Sequence, residues 1–198
     1  MSLVVYKLGG SLLDLPDLGQ RLMRLWSRRP EEERRLLIVG GGKFADVVRE
    51  WDARFGLGDE DAHELAVMSL GLSESLIDRM IPRLVNVVDF QDALGLDEGE
   101  TGLVSVADLL DDGEQRGALV PRNWEFTTDA ISAWVASIVK ADELILLKST
   151  DCGEEPTIKD LQAEGKLDGE FWNCRQRDFR MEWINLRDEK MTAVRLRG

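Results

Sequence analysis

The first fifty residues alternate between apolar runs and segments of helical periodicity. Residues 3–8 form a largely apolar, β-branched run that ends at Gly9 and Gly10, and residues 35–39 form a second run that ends at three glycines. Apolar runs of this length that stop at glycine are typical of buried strands. Between them, apolar residues recur every three or four positions over residues 15–26, which predicts a helix. The pattern therefore predicts successive strand and helix units.

A second helix is predicted directly after the second run of glycines. Within residues 44–56, one helical face would carry Phe44, Val47, Val48 and Trp51, and we expect this face to pack on the core. Strand, glycine turn and helix thus occur twice. Repeated units of this kind favour an α/β fold in which a parallel sheet carries helices on both faces.

The remaining chain continues the same alternation with weaker signals. Helices are predicted over residues 60–81 and over 127–139, the second with a threonine cap, and strands over 84–90 and 143–147. The other segments are predicted as follows: glycine-rich and acidic turns around a short VADLL segment in 91–118, a polar loop in 149–169, and a mixed C-terminal segment with MEWINL and AVRLR. Without a linker or an exact repeat, residues 1–198 are predicted to form one domain.

Composition narrows the class of function. The 198 residues carry 38 acidic and 25 basic side chains, a formal charge of −13, which disfavours nucleic acid as a partner. A phosphate site would need Lys, Arg and backbone N–H groups concentrated in one place. Two cysteines without CxxC spacing and one histidine offer no zinc site. With no apolar run near the length of a membrane span and no export signal, we expect a cytoplasmic protein without membrane contact.

Lysine and glycine stand together at the ends of the first two predicted strands. Lys7 precedes Gly9, Gly10 and Ser11, and Lys43 follows the glycines at 40–42. Glycines allow close backbone approach, and free N–H groups beside an ammonium suit a phosphate. In a parallel sheet both turns would open at one edge, although each alone also fits an ordinary turn between strand and helix. Walker A and GxGxxG patterns are absent.

Two further polar groups are expected at the same edge. Lys148 directly follows the strand predicted at 143–147, and Asp129 stands at the start of the helix predicted at 127–139. The structural alternatives are a solvated turn for Lys148 and plain helix capping for the segment that contains Asp129. Taken together, two lysines and an aspartate around glycine turns suit phosphoryl transfer, where the protein positions and neutralises charged reactants.

Four segments in order carry a family resemblance: VVYKLGGSLL, LLIVGGGKFAD, FTTDAISAWVA and LILLKSTD. Over most of residues 1–151 the chain resembles the amino acid kinase superfamily. The resemblance implies a three-layer αβα sandwich with a mainly parallel sheet, ATP as the phosphoryl donor, a small-molecule phosphate acceptor and assembly into a homo-oligomer. For phosphoryl transfer we expect Mg²⁺ held mainly by the nucleotide phosphates and water, with at most one carboxylate of the protein, and we predict no dedicated metal site.

The resemblance also implies roles for individual residues. Lys7 would contact the transferring phosphoryl group, and Asp129 would orient Lys7 and Lys148. The ATP phosphates and the nucleotide would be bound by Gly9, Gly10, Ser11, Ser149, Thr150 and Asp151, and the acceptor by Gly40, Gly41 and Gly42. His63 is a weaker candidate for the acceptor phosphate, since a lone histidine on such a helix is more often structural.

Within the superfamily, PRNWEFTTDAISAWVA and DEDAHELAVMSL most resemble the aminomethylfuran phosphate kinases of methanofuran-type cofactor synthesis. This implies [5-(aminomethyl)furan-3-yl]methyl phosphate as acceptor and its diphosphate as product, in one-carbon metabolism. Cys152 departs from the DG turn of many relatives. A kinase for a carboxylate, nucleoside monophosphate or isoprenoid phosphate, and a non-catalytic nucleotide-binding member, therefore remain alternatives. Trp124 and Trp134 either stack on an aromatic acceptor or serve the core, whereas Trp26 and Trp51 are expected in the core.

Overall fold

A computed structural model of the chain describes residues 2–197. These residues form one seven-stranded sheet in the spatial order β3-β4-β2-β1-β5-β6-β7. The strands are β1 Leu3–Leu8, β2 Arg34–Val39, β3 Val85–Val87, β4 Thr101–Val104, β5 Glu143–Lys148, β6 Arg180–Asn185 and β7 Ala193–Arg195. Each neighbouring pair is parallel except β6 and β7, which are antiparallel.

Helices cover both faces of the sheet. They are α1 Leu18–Trp26, α2 Lys43–Phe55, α3 Asp59–Met80, α4 Phe90–Gly95, α5 Val106–Gln115, α6 Thr128–Ile138, α7 Ile158–Ala163 and α8 Phe171–Cys174, with a single 3₁₀ turn at Gly10–Leu12. One apolar cluster joins β2 and β5 to α4, α5 and α6. Another joins β1, β2 and β5 to α1 and α3. The predicted three-layer αβα sandwich with a mainly parallel sheet is confirmed. Within residues 2–197, no helix combines the length and apolar character that a membrane crossing requires.

Two assignments in the middle of the chain were wrong. The strand predicted over 84–90 shrinks to β3, because the side chain of Asp89 accepts a hydrogen bond from the Asp92 amide and starts α4 at Phe90. Residues 91–118 are not turns around a short apolar segment, since they contain β4 and α5. β4 has only four residues, one of them Gly102, and its place in the sheet depends on pairing with both β2 and β3.

The prediction that the face of α2 with Phe44, Val47 and Trp51 packs on the core was also wrong. The helix buries Ala45 and Val48, whereas Phe44 and Val47 are exposed and Trp51 leaves 47% of its surface in solvent. The apolar periodicity of α2 therefore marks a surface that no other part of residues 2–197 covers. Trp26, by contrast, is buried as expected. In the segment predicted as a polar loop, 149–169, the structure places the short helix α7.

Candidate active site

The carboxyl ends of β2, β1 and β5 lie side by side at one edge of the sheet. Leu8 pairs with Val39 on one side and with Leu147 on the other, so the two glycine turns and Lys148 leave the sheet at the same level. A cleft of about 720 Å³ opens there. Its walls come from these turns, from α3, from residues 123–131 and from residues 165–168. Parallel strands thus bring together the groups that the sequence placed at strand ends.

The two glycine turns touch each other through their backbones. A Cβ atom on Gly10 would lie 2.1 Å from the amide nitrogen of Gly42, and one on Gly42 would lie 2.6 Å from the carbonyl oxygen of Gly10. Gly42 also has φ +52°, a conformation that favours glycine. Because any side chain at either position would force the turns apart, both glycines are required by the close approach of the two turns.

The backbone amides of the turns divide into two groups. The amides of Gly9 and Gly40 donate to the carbonyl oxygens of Leu147 and Leu8, each at 2.8 Å, and so extend the sheet. Gly9 and Gly40 were expected to bind phosphates, but their N–H groups are already used. The amides free for that purpose, with no acceptor within residues 2–197, are those of Gly10, Ser11, Gly41 and Gly42. These four fit the oxygens of a phosphate chain.

A buried carboxylate joins two lysines at the floor of the cleft. Asp129, only 4% exposed, places Oδ1 2.7 Å from Nζ of Lys7 and Oδ2 2.5 Å from Nζ of Lys148. Burial alone would raise the pKa of Asp129, but the charges of Lys148 and Lys7 outweigh burial and lower this pKa to about 2. Burial lowers the pKa of Lys148, and Asp129 opposes that shift. The site thus holds one negative charge between two positive ones.

Residues 164–168 hold this ion-paired group in place. Asp168 accepts hydrogen bonds from the hydroxyl of Thr127, which caps α6, and from the amide of Ala130 at 3.4 Å. Lys148 donates from Nζ to the carbonyl oxygen of Lys166 at 2.9 Å. Burial, followed by the nearby charge of Asp129, raises the pKa of Asp168. The start of α6, and with it Asp129, is therefore fixed from two sides.

Three residues expected in the nucleotide site lie beside the cleft. Within residues 2–197, Ser149, Thr150 and Asp151 are not among those that line it. Ser149 accepts a hydrogen bond from Ser11 at 2.9 Å. The carbonyl oxygen of Thr150 accepts from Trp183 at 2.7 Å, and the carboxylate of Asp151 accepts from Asn185 at 3.0 Å. The segment is thus bound to the first glycine turn through Ser149 and to β6 through Thr150 and Asp151.

Aromatic side chains form one wall of the cleft. Trp124 donates from Nε1 to Asp52 at 3.0 Å, and the guanidinium of Arg49 lies 5.3 Å from the centroid of the Trp124 ring. His63 lines the cleft beside Phe126, with ring centroids 6.1 Å apart, and burial lowers its pKa. A neutral imidazole here suits hydrogen bonding better than charge pairing.

Trp134 packs in the core and does not line the cleft. Its ring packs against Phe90 in the core, with ring centroids 5.5 Å apart, and it is 4% exposed. Of the two tryptophans weighed for contact with an aromatic acceptor, only Trp124 lines the cleft.

Sequence reasoning missed several charged residues at the cleft, among them Lys166, Asp168 and Arg187. Lys166 and Asp168 lie in GKLDG, whose flanking glycines and two opposite charges were the available signal. Arg187 follows β6 and donates to the carbonyl oxygen of Ser11 at 2.9 Å and to Asp14 at 2.6 Å. No local pattern placed Arg187 there, because its position depends on β6 pairing beside β5.

The donors at this edge fit a phosphate chain better than a metal ion. Within the described part of the chain, no group of three or more His, Cys, Asp or Glu residues is placed to hold a metal. Four free amides, the buried Lys7 and the partly buried Lys148 instead present positive character to the same cleft. An anion with several phosphate oxygens satisfies such a donor set.

Comparisons with known proteins agree with this geometry. A model described as the amino acid kinase family matches residues 2–152. The [5-(aminomethyl)furan-3-yl]methyl phosphate kinase of Methanocaldococcus jannaschii is 24% identical over 165 residues, which cover 74% of this chain. The chain spans 66% of the length of that curated relative, slightly less than two thirds.

Solved structures resemble the whole chain in fold. The uridylate kinase from Archaeoglobus fulgidus has a TM-score of 0.64 and 18% identity, covering 100% of this chain and 92% of that one. The UMP kinase from Ureaplasma parvum has a TM-score of 0.67 and 14% identity, with both chains covered completely. At these identities the likeness concerns the fold.

Proposed function

Because the chain belongs to the amino acid kinase family, we propose that it is an ATP-dependent kinase that transfers the γ-phosphoryl group to a small phosphorylated acceptor. The observation that carries this proposal is the buried Asp129, which is ion-paired to Lys7 and Lys148 below two touching glycine turns. Two anionic substrates need this arrangement, since they must be brought together against their mutual repulsion. The acidic protein concentrates positive groups at this one edge.

The chemistry requires little covalent participation by the protein. An oxygen of the acceptor phosphate forms a bond to the γ-phosphorus of ATP while the bond from that phosphorus to the β–γ bridging oxygen breaks, and ADP leaves. The attacking oxygen is already ionised near neutral pH, so no general base is needed. Lys7 and Lys148 neutralise the charge that spreads over the transferring group, and Asp129 keeps both ammonium groups in position.

The glycine turns would hold the two phosphate-bearing substrates. The amides of Gly10 and Ser11 would bind the ATP phosphates, and those of Gly41 and Gly42, at the start of α2, would bind the acceptor phosphate. Mg²⁺, held mainly by the nucleotide, would supply further positive charge. Ser149, Thr150 and Asp151 would support the nucleotide side from their position directly after β5, where Ser149 contacts Ser11 and the other two contact β6.

The acceptor we propose is [5-(aminomethyl)furan-3-yl]methyl phosphate, and the product is its diphosphate. The curated relative acts on this compound by name, and the wall formed by Trp124, Phe126 and His63 suits a flat aromatic ring. A carboxylate, a nucleoside monophosphate or an isoprenoid phosphate is the alternative acceptor. A non-catalytic nucleotide-binding protein would keep the same turns without turnover.

We further propose that the kinase assembles with a second copy of itself. The outward face of α2 exposes Val47, Trp51 and Phe55, and α3 exposes Met68 and Leu72 four residues apart. These two helices pack against each other in the chain. Large apolar side chains on neighbouring helices are typical of interfaces between identical subunits.

The decisive experiment measures ATP consumption with Mg²⁺ and a panel of acceptors. We expect turnover with the furan phosphate, loss of turnover in Lys7→Ala, and full turnover in Lys159→Ala, which removes an exposed lysine on α7. Turnover with a different acceptor would support the proposed kinase activity and would exclude the furan phosphate as the acceptor. Saturable ATP binding without turnover on any acceptor would instead support the non-catalytic alternative.

A further inference from the structure

Arg187 brings a guanidinium to the first glycine turn, residues 9–11. It follows β6, and the amide of Leu186 donates to the carbonyl oxygen of Lys148 at 2.8 Å, so the chain leaves the sheet at the level of Lys148. Arg187 lines the cleft together with Gly10 and Ser11, whose amides have no acceptor within residues 2–197. A guanidinium and two free N–H groups therefore border the same part of the cleft.

Both the backbone and the side chain of Arg187 are held in place. Its amide donates to the side-chain oxygen of Asn185 at 3.0 Å, and its carbonyl oxygen accepts from Arg21 at 3.2 Å. In the side chain, Nη2 donates to the carbonyl oxygen of Ser11 at 2.9 Å and to Oδ1 of Asp14 at 2.6 Å. These contacts orient the guanidinium toward the first glycine turn.

Most donors of this guanidinium remain available to a ligand. Within residues 2–197, Nε and Nη1 of Arg187 have no acceptor at hydrogen-bonding distance, and they carry three N–H donors between them. The side chain is 39% exposed and lines the cleft, so an anion in the cleft can reach it. Charge-assisted donors of this kind bind phosphate oxygens strongly.

The ion pair between Arg187 and Asp14 can give way to such an anion. The side chain of Asp14 is 51% exposed, and exposed ion pairs contribute little because water solvates both partners. In the described part of the chain, no carboxylate oxygen other than that of Asp14 lies within 4.0 Å of Arg187. A phosphate oxygen in place of Asp14 would give the paired contact through Nη1 and Nη2 that a guanidinium favours.

The two lysines of the site leave part of a triphosphate uncompensated. Asp129 contacts both Lys7 and Lys148, and the charge of Asp168 also acts on both lysines. Much of their positive charge is therefore balanced within the protein, whereas a triphosphate brings several negative charges. Arg187 supplies a further cation with unused donors at the turn where these charges would lie.

We propose that Arg187 binds the phosphates of ATP and that Asp14 is a positioning residue, which holds the guanidinium at the first glycine turn and competes with the phosphates for it. This inference rests on the proposed kinase function, in which ATP occupies that turn. On binding, the guanidinium exchanges the carboxylate of Asp14 for phosphate oxygens and keeps its contact with Ser11. The cation and the free amides of Gly10 and Ser11 then act on the same anion.

The test is a calorimetric titration with ATP and with inorganic triphosphate, without acceptor and with EDTA present. Only contacts of the protein itself are then measured, and no turnover is needed. Arg187→Ala should weaken binding of both ligands by about tenfold or more, the loss of a hydrogen bond to a charged group. Arg187→Lys keeps the charge without the planar donors and should bind with intermediate affinity.

Asp14→Ala separates phosphate binding from support of the turn. It breaks the same ion pair but leaves the guanidinium free, so it should bind both ligands at least as tightly as the parent protein. If the ion pair only stabilised the turn, Asp14→Ala and Arg187→Ala would lose affinity equally. That result would overturn the proposal.

Lys43→Ala is the matched control for long-range attraction. It removes one positive charge from the same cleft, beside the second glycine turn, and should weaken ATP binding by about threefold or less. Equal losses in Lys43→Ala and Arg187→Ala, or a parent protein that binds neither ligand up to roughly 10 mM, would also overturn the proposal. Binding that depends on Arg187 in a protein without turnover on any acceptor would support it while rejecting the kinase.

Discussion

Nζ of Lys148 lies 2.5 Å from Oδ2 of Asp129, and both groups are shielded from water. Lys148 comes from the end of β5 and Asp129 from the first turn of α6, so the contact ties sheet to helix. A charge buried in this way is tolerable only while its partner stays in place.

Replacing Asp129 by Asn should remove the charge that holds both lysines. We expect turnover to fall by about 100-fold or more, because the lysines repel each other once the carboxylate is gone. Stability should fall by about 3–5 kcal/mol, the typical result of breaking a buried ion pair. Steady-state kinetics and urea unfolding measure the two effects. Asp78→Asn, which changes an exposed carboxylate on α3, should alter neither.

Gly10→Ala should separate the two glycine turns. The new methyl group would lie 2.1 Å from the Gly42 amide nitrogen, so we expect a loss of about 1–3 kcal/mol in stability and loss of turnover. Gly71→Ala is the matched control, because its Cβ meets nothing within 4 Å in α3. There we expect a gain of about 0.5–1 kcal/mol in unfolding experiments. Equal stability of the two variants would contradict the close contact.

Glu74 should make stability depend on pH near neutrality. This half-buried carboxyl accepts a hydrogen bond from the Val106 amide at 3.1 Å, and burial raises its pKa from 4.5 to about 7. Because the pKa is higher in the folded chain, the contribution of Glu74 is fully present below pH 4.5 and is lost as the pH rises through 7. In urea unfolding, the free energy of unfolding of the parent protein should fall between pH 5 and pH 8. In Glu74→Gln this fall should be smaller by about 1–3 kcal/mol.

The control for Glu74 is Glu50→Gln, which alters an exposed glutamate on α2. It should retain the pH dependence of the parent protein. If Glu74→Gln and Glu50→Gln lose stability equally between the two pH values, Glu74 does not titrate in this range.

Trp124→Ala should weaken binding of the acceptor and leave ATP binding unchanged. Removing one stacking ring should raise KM for the furan phosphate by roughly threefold to tenfold, with a smaller change in kcat. Trp124→Phe keeps a ring in place and should recover most of the affinity. Trp172→Ala removes a ring outside the cleft, and any comparable increase in KM there would rule out a specific role for Trp124.

Trp51→Ser combined with Phe55→Ser should prevent self-association. Both side chains are exposed, Phe55 to 68%, and lie on the outward face of α2. Sedimentation equilibrium should show the parent as a dimer or larger assembly and the double variant as a monomer. Leu94→Ser changes an exposed leucine on α4 and should leave the assembly intact. A monomeric parent protein would disprove the proposed interface.

Sequence patterns predicted the parts of the fold that depend on local signals. β1, β2 and β5 are apolar runs buried on both faces, and α6 begins at a threonine cap, so each could be recognised from its own residues. β4 could not, because its four residues become a strand only through pairing with neighbours on both sides. The apolar face of α2 was misassigned because periodicity does not indicate whether the core or another surface covers it.

In the candidate site, too, features with a local sequence signal were predicted and features that depend on long-range contacts were not. Lys7 and the glycine turns were singled out because composition and position at strand ends are visible in the sequence. Which amides stay free could not be predicted, because Gly9 and Gly40 lose theirs through the register of the sheet. Lys166 and Asp168 reach the cleft only after the chain has passed through α7, so no local spacing connects them to Asp129.

The hydrogen bonds from Gly9 and Gly40 to neighbouring strands make the floor of the cleft a continuation of the sheet. That floor is as rigid as the sheet itself, so in the proposed reaction it would set the distance between the two reacting phosphates without adjusting to either. Residues 165–168 are tied to this floor through Thr127 and Lys148, so any closing motion over bound substrates would have to involve other parts of the lining, such as residues 123–126. In the proposed reaction, the floor would position the phosphates, and Trp124 and Phe126 would contact the rest of the acceptor.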